Sequence, residues 1–230
     1  MVTARLHIRV VHVTTVHDWR DPRIFHKQLA TLREAGFECR FVAPRDSFAI
    51  RDGIALVPLP STGRRYNRLR FLPAVYRVTR NENALVYHIH DPELIPVAWM
   101  IKQATGAKVI YDMHEDYRWH GPIAGRLIRA VERWCFRWVD HVILAEDSYR
   151  SIVDRASAPV TVVKNYHKPV DESPTVEGES PDLRPIRLLY TGVVAEERGS
   201  SWLLQLVAEL EGGGNKVSLT IAGKCHSDRH

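Results

Sequence analysis

Cysteine is scarce in this 230-residue chain: Cys39, Cys135 and Cys225 are the only three, widely spaced and odd in number. That excludes a disulfide framework and a cysteine-built zinc site, and it fits a reducing compartment. Cys135 falls in an apolar helical pattern and reads as a small core residue. Long hydrophobic runs are missing too. The longest, Leu94 to Ile101, is eight residues, far short of the roughly 20 that span a bilayer. Met1-Val2-Thr3-Ala4-Arg5-Leu6-His7 has neither the apolar region nor the small-residue cleavage site of a secretory signal. The expected location is the cytoplasm, with peripheral attachment at the inner face of the membrane as an extension. Acid is absent from one stretch. Between Arg64 and Arg80 lie six arginines and no aspartate or glutamate.

Hydrophobic residues make up 45% of the chain and charged residues 26%, which supplies the core of one large or two modest domains. The net charge of +5 is unevenly spread. Besides the first arginine stretch (Arg64, Arg65, Arg68, Arg70, Arg77, Arg80), Arg126, Arg129, Arg133 and Arg137 recur at steps of three and four, one stripe on a helix. Such stripes are either solvated helix faces or attractors of anionic lipid head groups and phosphorylated substrates. Near a membrane each basic residue contributes about 1 kcal/mol. Nucleic acid is not an expected partner. No binding motif accompanies the charge, and the helix carrying Trp134 and Trp138 is amphipathic rather than base-stacking.

Strand and helix patterns alternate. Strands are expected at Leu6–Thr14, Glu38–Ala43, Ile54–Leu59, Ala84–Ile89, Lys108–Asp112, His141–Ala145 and Val160–Lys164. Helices are expected at Pro22–Ala35, Tyr66–Arg80, Pro92–Thr105, Pro122–Val139 and Asp147–Arg155. Proline in the first turn and glycine after the last bracket both the first helix and the third. This alternation specifies an α/β fold, a Rossmann-like parallel sheet with helices on both faces. Prolines 169, 174, 181 and 185 mark a linker. Beyond it come a strand (Ile186–Tyr190), a helix (Ser200–Leu210) and a strand (Val217–Ala222), too few elements for a closed core. The expected division is 1–168, a linker at 169–185, and an incomplete second Rossmann-like domain at 186–230.

Two apolar runs stop abruptly in polar clusters: Val86-Tyr87-His88-Ile89-His90-Asp91-Pro92-Glu93 and Val109-Ile110-Tyr111-Asp112-Met113-His114-Glu115. Buried parallel strands read this way where their C-terminal ends open into a crevice, the usual ligand edge of an open α/β sheet. Packing alone disfavours so many titratable groups there. His17, Asp18, Asp21 and Arg23 sit in the loop after the first strand, at the same edge. Asp21 is also a natural partner for the helix beginning at Pro22, and Asp91 for the one beginning at Pro92. Arg23 could reach an acceptor phosphate or pair with an acid, and Glu115 could cap, pair or bind acceptor.

These residues carry a resemblance. His17-Asp18-Trp19-Arg20-Asp21-Pro22, His90-Asp91-Pro92-Glu93-Leu94, Tyr111-Asp112-Met113-His114-Glu115-Asp116, Tyr190-Thr191-Gly192-Val193 through Arg198-Gly199, and Leu219-Thr220-Ile221-Ala222-Gly223 resemble, in order and spacing, the signatures of the family-four retaining glycosyltransferases of GT-B architecture. The resemblance implies an acceptor-binding N-terminal domain and the start of a nucleotide-sugar domain. His114 would contact the transferred sugar as the catalytic residue. His17, Asp18, Asp21, Arg23, His90, Asp91, Glu93 and Glu115 would meet the acceptor, and Gly192 and Arg198 the donor diphosphate. The implied partners are a nucleotide-sugar donor and a glycan or lipid-linked acceptor of cell-surface polysaccharide synthesis, with no metal or other cofactor. The donor's own phosphate takes the acceptor proton in that family, so no separate base is sought.

Two departures accompany the resemblance. Val193 stands where the family often has an arginine after the glycine, so one of two expected diphosphate contacts is absent. The glutamate pair that holds the donor, seven residues apart in the family, is not reached, so the chain is expected to be a truncated enzyme with little activity alone. Two alternatives stand beside the transferase. One is a non-catalytic acceptor-binding protein or split subunit whose partner completes the donor domain. The other is a metal-dependent hydrolase using His88, His90, Asp91, His114 and Glu115, since side chains two apart on a strand share a face.

Overall fold

The computed structural model describes residues 8–59, 68–114, 136–153, 158–166 and 185–225, together with residues 126 and 130. The chain divides into two compact units, Met1–His167 and Lys168–His230. Arg64, Arg65, Arg129, Arg133, most of the expected helix at 122–139 and nearly all of the linker lie outside the described residues.

The strands of the first unit are β1 (Arg9–Val13), β2 (Glu38–Pro44), β3 (Ala49–Arg51), β4 (Ile54–Leu59), β5 (Val86–Ile89), β6 (Lys108–Met113), β7 (His141–Leu144) and β8 (Val160–Val162). They form one sheet in the order β3-β4-β2-β1-β5-β6-β7-β8, parallel throughout except for β3. The β-branched runs seen in the sequence are these strands, which read as continuous apolar segments because both sheet faces are covered. β3 was not among the expected strands. It is three residues long and half exposed, so no alternation betrays it. Its signal is Asp52-Gly53, both at positive φ (49° and 74°), the mark of a two-residue hairpin.

The order reverses between β1 and β5. From β1 the chain moves outward to β2 and β4, and from β5 it moves the other way to β6, β7 and β8. Loops leaving these two strands therefore part to opposite faces, and a crevice opens between them. On one face α2 (Arg68–Asn81) and α3 (Ile95–Thr105) lie over the sheet. Val75, Ile95, Val97 and Ile101 pack there with Val11, Tyr87, Val109 and Tyr111. On the other face Ile24, Phe25 and Leu29 cover Cys39, Phe41, Ile54 and Leu56. Burying each such side chain is worth about 1.5–3 kcal/mol. α3 ends as its sequence implies, at Gly106 with φ 70° and its N–H bonded to the Lys102 carbonyl.

The helix expected at Pro22–Ala35 differs in kind. Ile24–Leu29 is π-helical and only then continues as α1 (Ala30–Glu34). The Gln28 N–H bonds back five residues to the Arg23 carbonyl at 3.0 Å. In an α-helix, side chains five apart point about 140° away from each other; the wider turn brings them together. Both meet one carboxylate. Arg23 donates from Nε and Nη2 to Asp112 at 2.9 and 2.8 Å, and Gln28 donates from Nε2 at 2.6 Å. Arg23 also donates to the Val163 carbonyl at 2.8 Å. The side chains of Arg23 and Asp112 are 5% and 0% exposed. This pair ties the segment after β1 to β6 and to the residue after β8.

In the second unit, β9 (Ile186–Thr191) and β10 (Val217–Ala222) run parallel, joined through α5 (Ser200–Gly212); the short α4 (Arg150–Val153) belongs to the first unit. Gly223 lies against the Gly192 backbone, where any Cβ would overlap it. Among the described residues of this unit none is buried, and Trp202 (77%), Leu189 (69%) and Leu204 (62%) are exposed.

Breaking a buried pair strands a charge, at a cost of about 3–5 kcal/mol. Asp112→Leu or Arg23→Met alone is expected to lower the melting temperature by about 10 °C. The double substitution, which leaves no orphaned charge, is expected to lose less than the two single losses combined. Calorimetry of the three variants checks this, and strict additivity would show the pair to be uncoupled.

Candidate functional site

The ends of β1, β5 and β6 meet at the reversal point. Asp91, fully buried, accepts at Oδ2 from Thr14 Oγ1 (3.0 Å), Thr15 N–H (2.6 Å) and Thr15 Oγ1 (3.1 Å). The expectation that Asp91 caps the helix after it needs correction: it makes no side-chain cap bond. The buried Thr15 amide and the Thr14 and Thr15 hydroxyls claim the carboxylate instead. Asp21 does serve the helix after it, accepting at Oδ1 from the Arg23 and Ile24 amides, both at 2.9 Å. Burial opposes its ionisation, but His17 and these two amides outweigh that and hold its carboxyl at about 2.

Below this edge, one face of the central strands is polar. His12, His88 and His90 are buried at 0%, 4% and 2% exposure, with Asp112 beside them at 0%. His12 Nδ1 and His90 Nε2 share a hydrogen bond at 2.9 Å, and His90 Nδ1 lies 3.6 Å from Asp112. Desolvation, then neighbouring imidazoles, pushes His12 well below its ordinary value of 6.5 and His88 down to about 3. Burial also opposes the charge on Asp112, but His90 and Arg23 hold its carboxyl well below the usual range. The carboxylate is the anion here, and His12 and His88 are neutral.

His114 stands at the mouth. Its Nδ1 lies 3.1 Å from the Asp112 carbonyl and its Nε2 2.8 Å from Nε2 of His17. A carbonyl only accepts, so Nδ1 carries a proton, and in the neutral ring Nε2 is the acceptor. Burial first, then His90 and His17, lowers its pKa. His17 Nδ1 is 3.3 Å from Asp21 Oδ2. A cavity of about 600 Å³ opens here, lined by His114, Asp21, Glu146, Asp147, Lys164 and Tyr166 among others. Lys164 pairs with Asp147 at 2.9 Å, and Tyr166 is 72% exposed. Carboxylates, an imidazole lone pair and an open aromatic face suit a ligand rich in hydroxyl groups.

A family model described as "Glycosyl transferase 4-like domain" matches residues 22–165, more than half of the chain. The chain belongs to this glycosyltransferase family. The solved structures it resembles share its fold at low identity. Sucrose-phosphate synthase from Thermosynechococcus elongatus superposes with a TM-score of 0.63 at 15% identity, covering 94% of this chain and 70% of that one. Anabaena HepE, solved with UDP and glucose, gives 0.62 at 10% identity over 96% and 62%. The lipopolysaccharide outer core galactosyltransferase WaaB gives 0.55 at 12% identity over 96% and 62%. This chain thus spans about two-thirds of those proteins' lengths. A comparison with curated protein sequences finds no match.

Within this glycosyltransferase the expected site residues separate by depth. His114, Asp21 and Arg23 line the cavity, although the Arg23 guanidinium is engaged by Asp112 and Val163. His17 bridges His114 and Asp21. His90 and Asp91 lie beneath, bracing the loops, and Glu93 reaches Thr15 at 3.3 Å. Asp18 pairs with Arg20 at 2.8 Å and faces a different cavity beside Trp19 and Arg45. Glu115 is outside the described residues. In the second unit, Gly192 (φ 139°) and the exposed Arg198 occupy the loop between β9 and α5, and Gly199 (φ 80°) opens that helix. Sequence reasoning missed Glu146, Asp147, Lys164 and Tyr166. The signal was available, because Ala145-Glu146-Asp147 also ends a buried strand in acids.

Two groups, His12 with His88 and His90, and His90 with Asp112 and His114, have the spacing of a metal site, but Asp112 is already bound by Arg23 and Gln28. A divalent ion would place two charges among buried groups where the Asp112 carboxylate is already neutralised by Arg23. Purified protein is expected to carry no stoichiometric transition metal, and chelation is expected to leave the melting temperature unchanged. The neutral histidines have a further consequence. Unfolded histidine takes a proton near 6.5 while His88 resists until about 3, so stability is complete above 6.5 and falls as pH drops through that window. Denaturant melts from pH 7 to 4 read this, and His88→Phe is expected to flatten the loss.

Proposed function

We propose that this glycosyltransferase transfers a sugar, with retention of configuration, from a nucleotide sugar to a glycan or lipid-linked acceptor in cell-surface polysaccharide assembly. The hydroxyl-matched cavity at His114 carries the reading. His114 offers an oriented lone pair to a hydroxyl, held ready by the Asp112 carbonyl, and such preorganised contacts contribute most when charge develops. Glu146 and Asp147 accept from acceptor hydroxyls, and Tyr166 offers a stacking face. Arg198 and the first amides of α5 receive the donor diphosphate. The UDP and glucose in HepE and the outer-core role in WaaB's name support the donor class and the polysaccharide setting.

The β9–α5–β10 unit exposes apolar side chains on its strands and helix, which supports completion of the donor domain by further chain or a second subunit. The 230-residue chain alone is then expected to turn over well below the roughly 1 s⁻¹ of ordinary enzymes. Peripheral membrane docking joins the proposal. Arg77 and Arg80 rim an apolar groove with Leu72, Tyr76, Val97 and Met100, and no described helix is long and apolar enough to cross a membrane.

The test pairs UDP-glucose, as donor probe, with oligosaccharide acceptors and a preparation that transfers sugar. His114→Ala is expected to lower kcat by about 100-fold or more with its melting temperature unchanged, and the product should keep the donor's anomeric configuration. Unchanged kinetics would remove His114 from the site, and an inverted product would overturn retention.

A further inference from the structure

The contact between His17 and His114 sets a proton requirement. His114 Nε2 is an acceptor, because the Asp112 carbonyl at 3.1 Å holds a proton on Nδ1 and burial disfavours a second proton on the ring. His17 must therefore donate from Nε2 across the 2.8 Å contact. The other nitrogen of His17 lies 3.3 Å from the Asp21 carboxylate, which also only accepts. Neutral histidine has one N–H and can satisfy one of these contacts but not both. With the proton on Nε2, a bare Nδ1 faces a carboxylate; with it on Nδ1, two lone pairs face each other. With His114 neutral, only an imidazolium at His17 completes the chain. Among the described residues, three groups beside His17 favour that charge: Asp21 from its own loop, Asp91 Oδ1 at 3.9 Å from the end of β5, and neutral His114 from the end of β6. Arg23, the nearby cation, is neutralised by Asp112.

As the structure stands, both nitrogens of His114 are occupied within the protein. A sugar hydroxyl can reach Nε2 only in place of His17. We propose that His17 is a positioning residue, held as an imidazolium by Asp21, that occupies Nε2 of His114 until a ligand hydroxyl takes its place. Both donate to the same lone pair, so His114 keeps its orientation and tautomer before and after the exchange. Loss of the His17 proton releases Nε2, so ligand binding tightens as pH rises through the His17 midpoint. The exchange rests on His114 meeting a sugar; the imidazolium chain does not.

Imidazole ¹⁵N NMR of the protein without ligand tests the chain. His114 should be protonated at Nδ1 alone, and His17 at both nitrogens at neutral pH. Asp21→Asn keeps the Oδ1 that accepts from the Arg23 and Ile24 amides, yet should lower the His17 midpoint by about one unit, a tenfold loss of proton affinity. A neutral His17 at pH 7, a midpoint unmoved by Asp21→Asn, or a proton on Nε2 of His114 would overturn the proposal. In transfer assays the KM for the nucleotide sugar should fall as pH rises through that midpoint, and His17→Phe should abolish this dependence; its persistence in the variant would overturn the exchange. An intact imidazolium chain in a protein without any transfer would count against the transferase reading alone.

Discussion

The buried ion pair between Arg23 and Asp112 is the constraint on which the site depends. Taking two charges out of water costs several kcal/mol for each, and attraction offsets this only with good geometry and satisfied donors and acceptors. Both conditions are met. The guanidinium approaches side-on with two bonds, Gln28 adds a third, and the remaining Arg23 nitrogen finds the Val163 carbonyl. One interaction thereby fixes the entry of the first helix against β6 and the residue after β8. It also explains the π-helical turn, since only that turn delivers Arg23 and Gln28 to one carboxylate. π-turns often mark functional sites, and here the reason is local.

Around this pair the protein carries few net charges. His12 and His88 are neutral because burial on the strand face, and then the neighbouring imidazoles, penalise their charged forms. The main chain of Asp112 contributes as well, because its carbonyl sets the tautomer of His114 two residues on. Strand, ion pair and cavity wall are thus one continuous piece of structure. The outcome at the mouth is an oriented acceptor nitrogen among carboxylates and an aromatic ring, a surface matched to hydroxyl groups. The same arrangement gives the domain its acid sensitivity, because groups kept neutral for the site must take up protons when the chain unfolds.

Much of this was legible in the sequence, and the reason is the parallel sheet. Strands covered on both faces must be apolar along their length, so His90-Asp91 and Asp112-Met113-His114 stood out where those runs stop. Family signatures then located His114. What stayed hidden depends on contacts between distant residues. Asp112 lies 89 positions from Arg23, and nothing local to either reveals the pair or the helical distortion it brings. Asp91 looked like a cap because of Pro92, yet the competing Thr15 amide is 76 positions away. β3 was concealed by its brevity, with only Asp52-Gly53 to announce it. Lys164 and Tyr166 drew no notice because they follow a short strand near the linker.

A residue-resolved NMR titration of the ¹⁵N-labelled chain with glucose and neutral oligosaccharides bears most directly on the cavity as a sugar site. The expected result is a set of saturable shifts confined to His114, Asp147, Ser148 and Tyr166, removed by His114→Phe in a protein that keeps its melting temperature. Shifts confined to the α2 and α3 surface, or no shift for any sugar, would contradict the assignment.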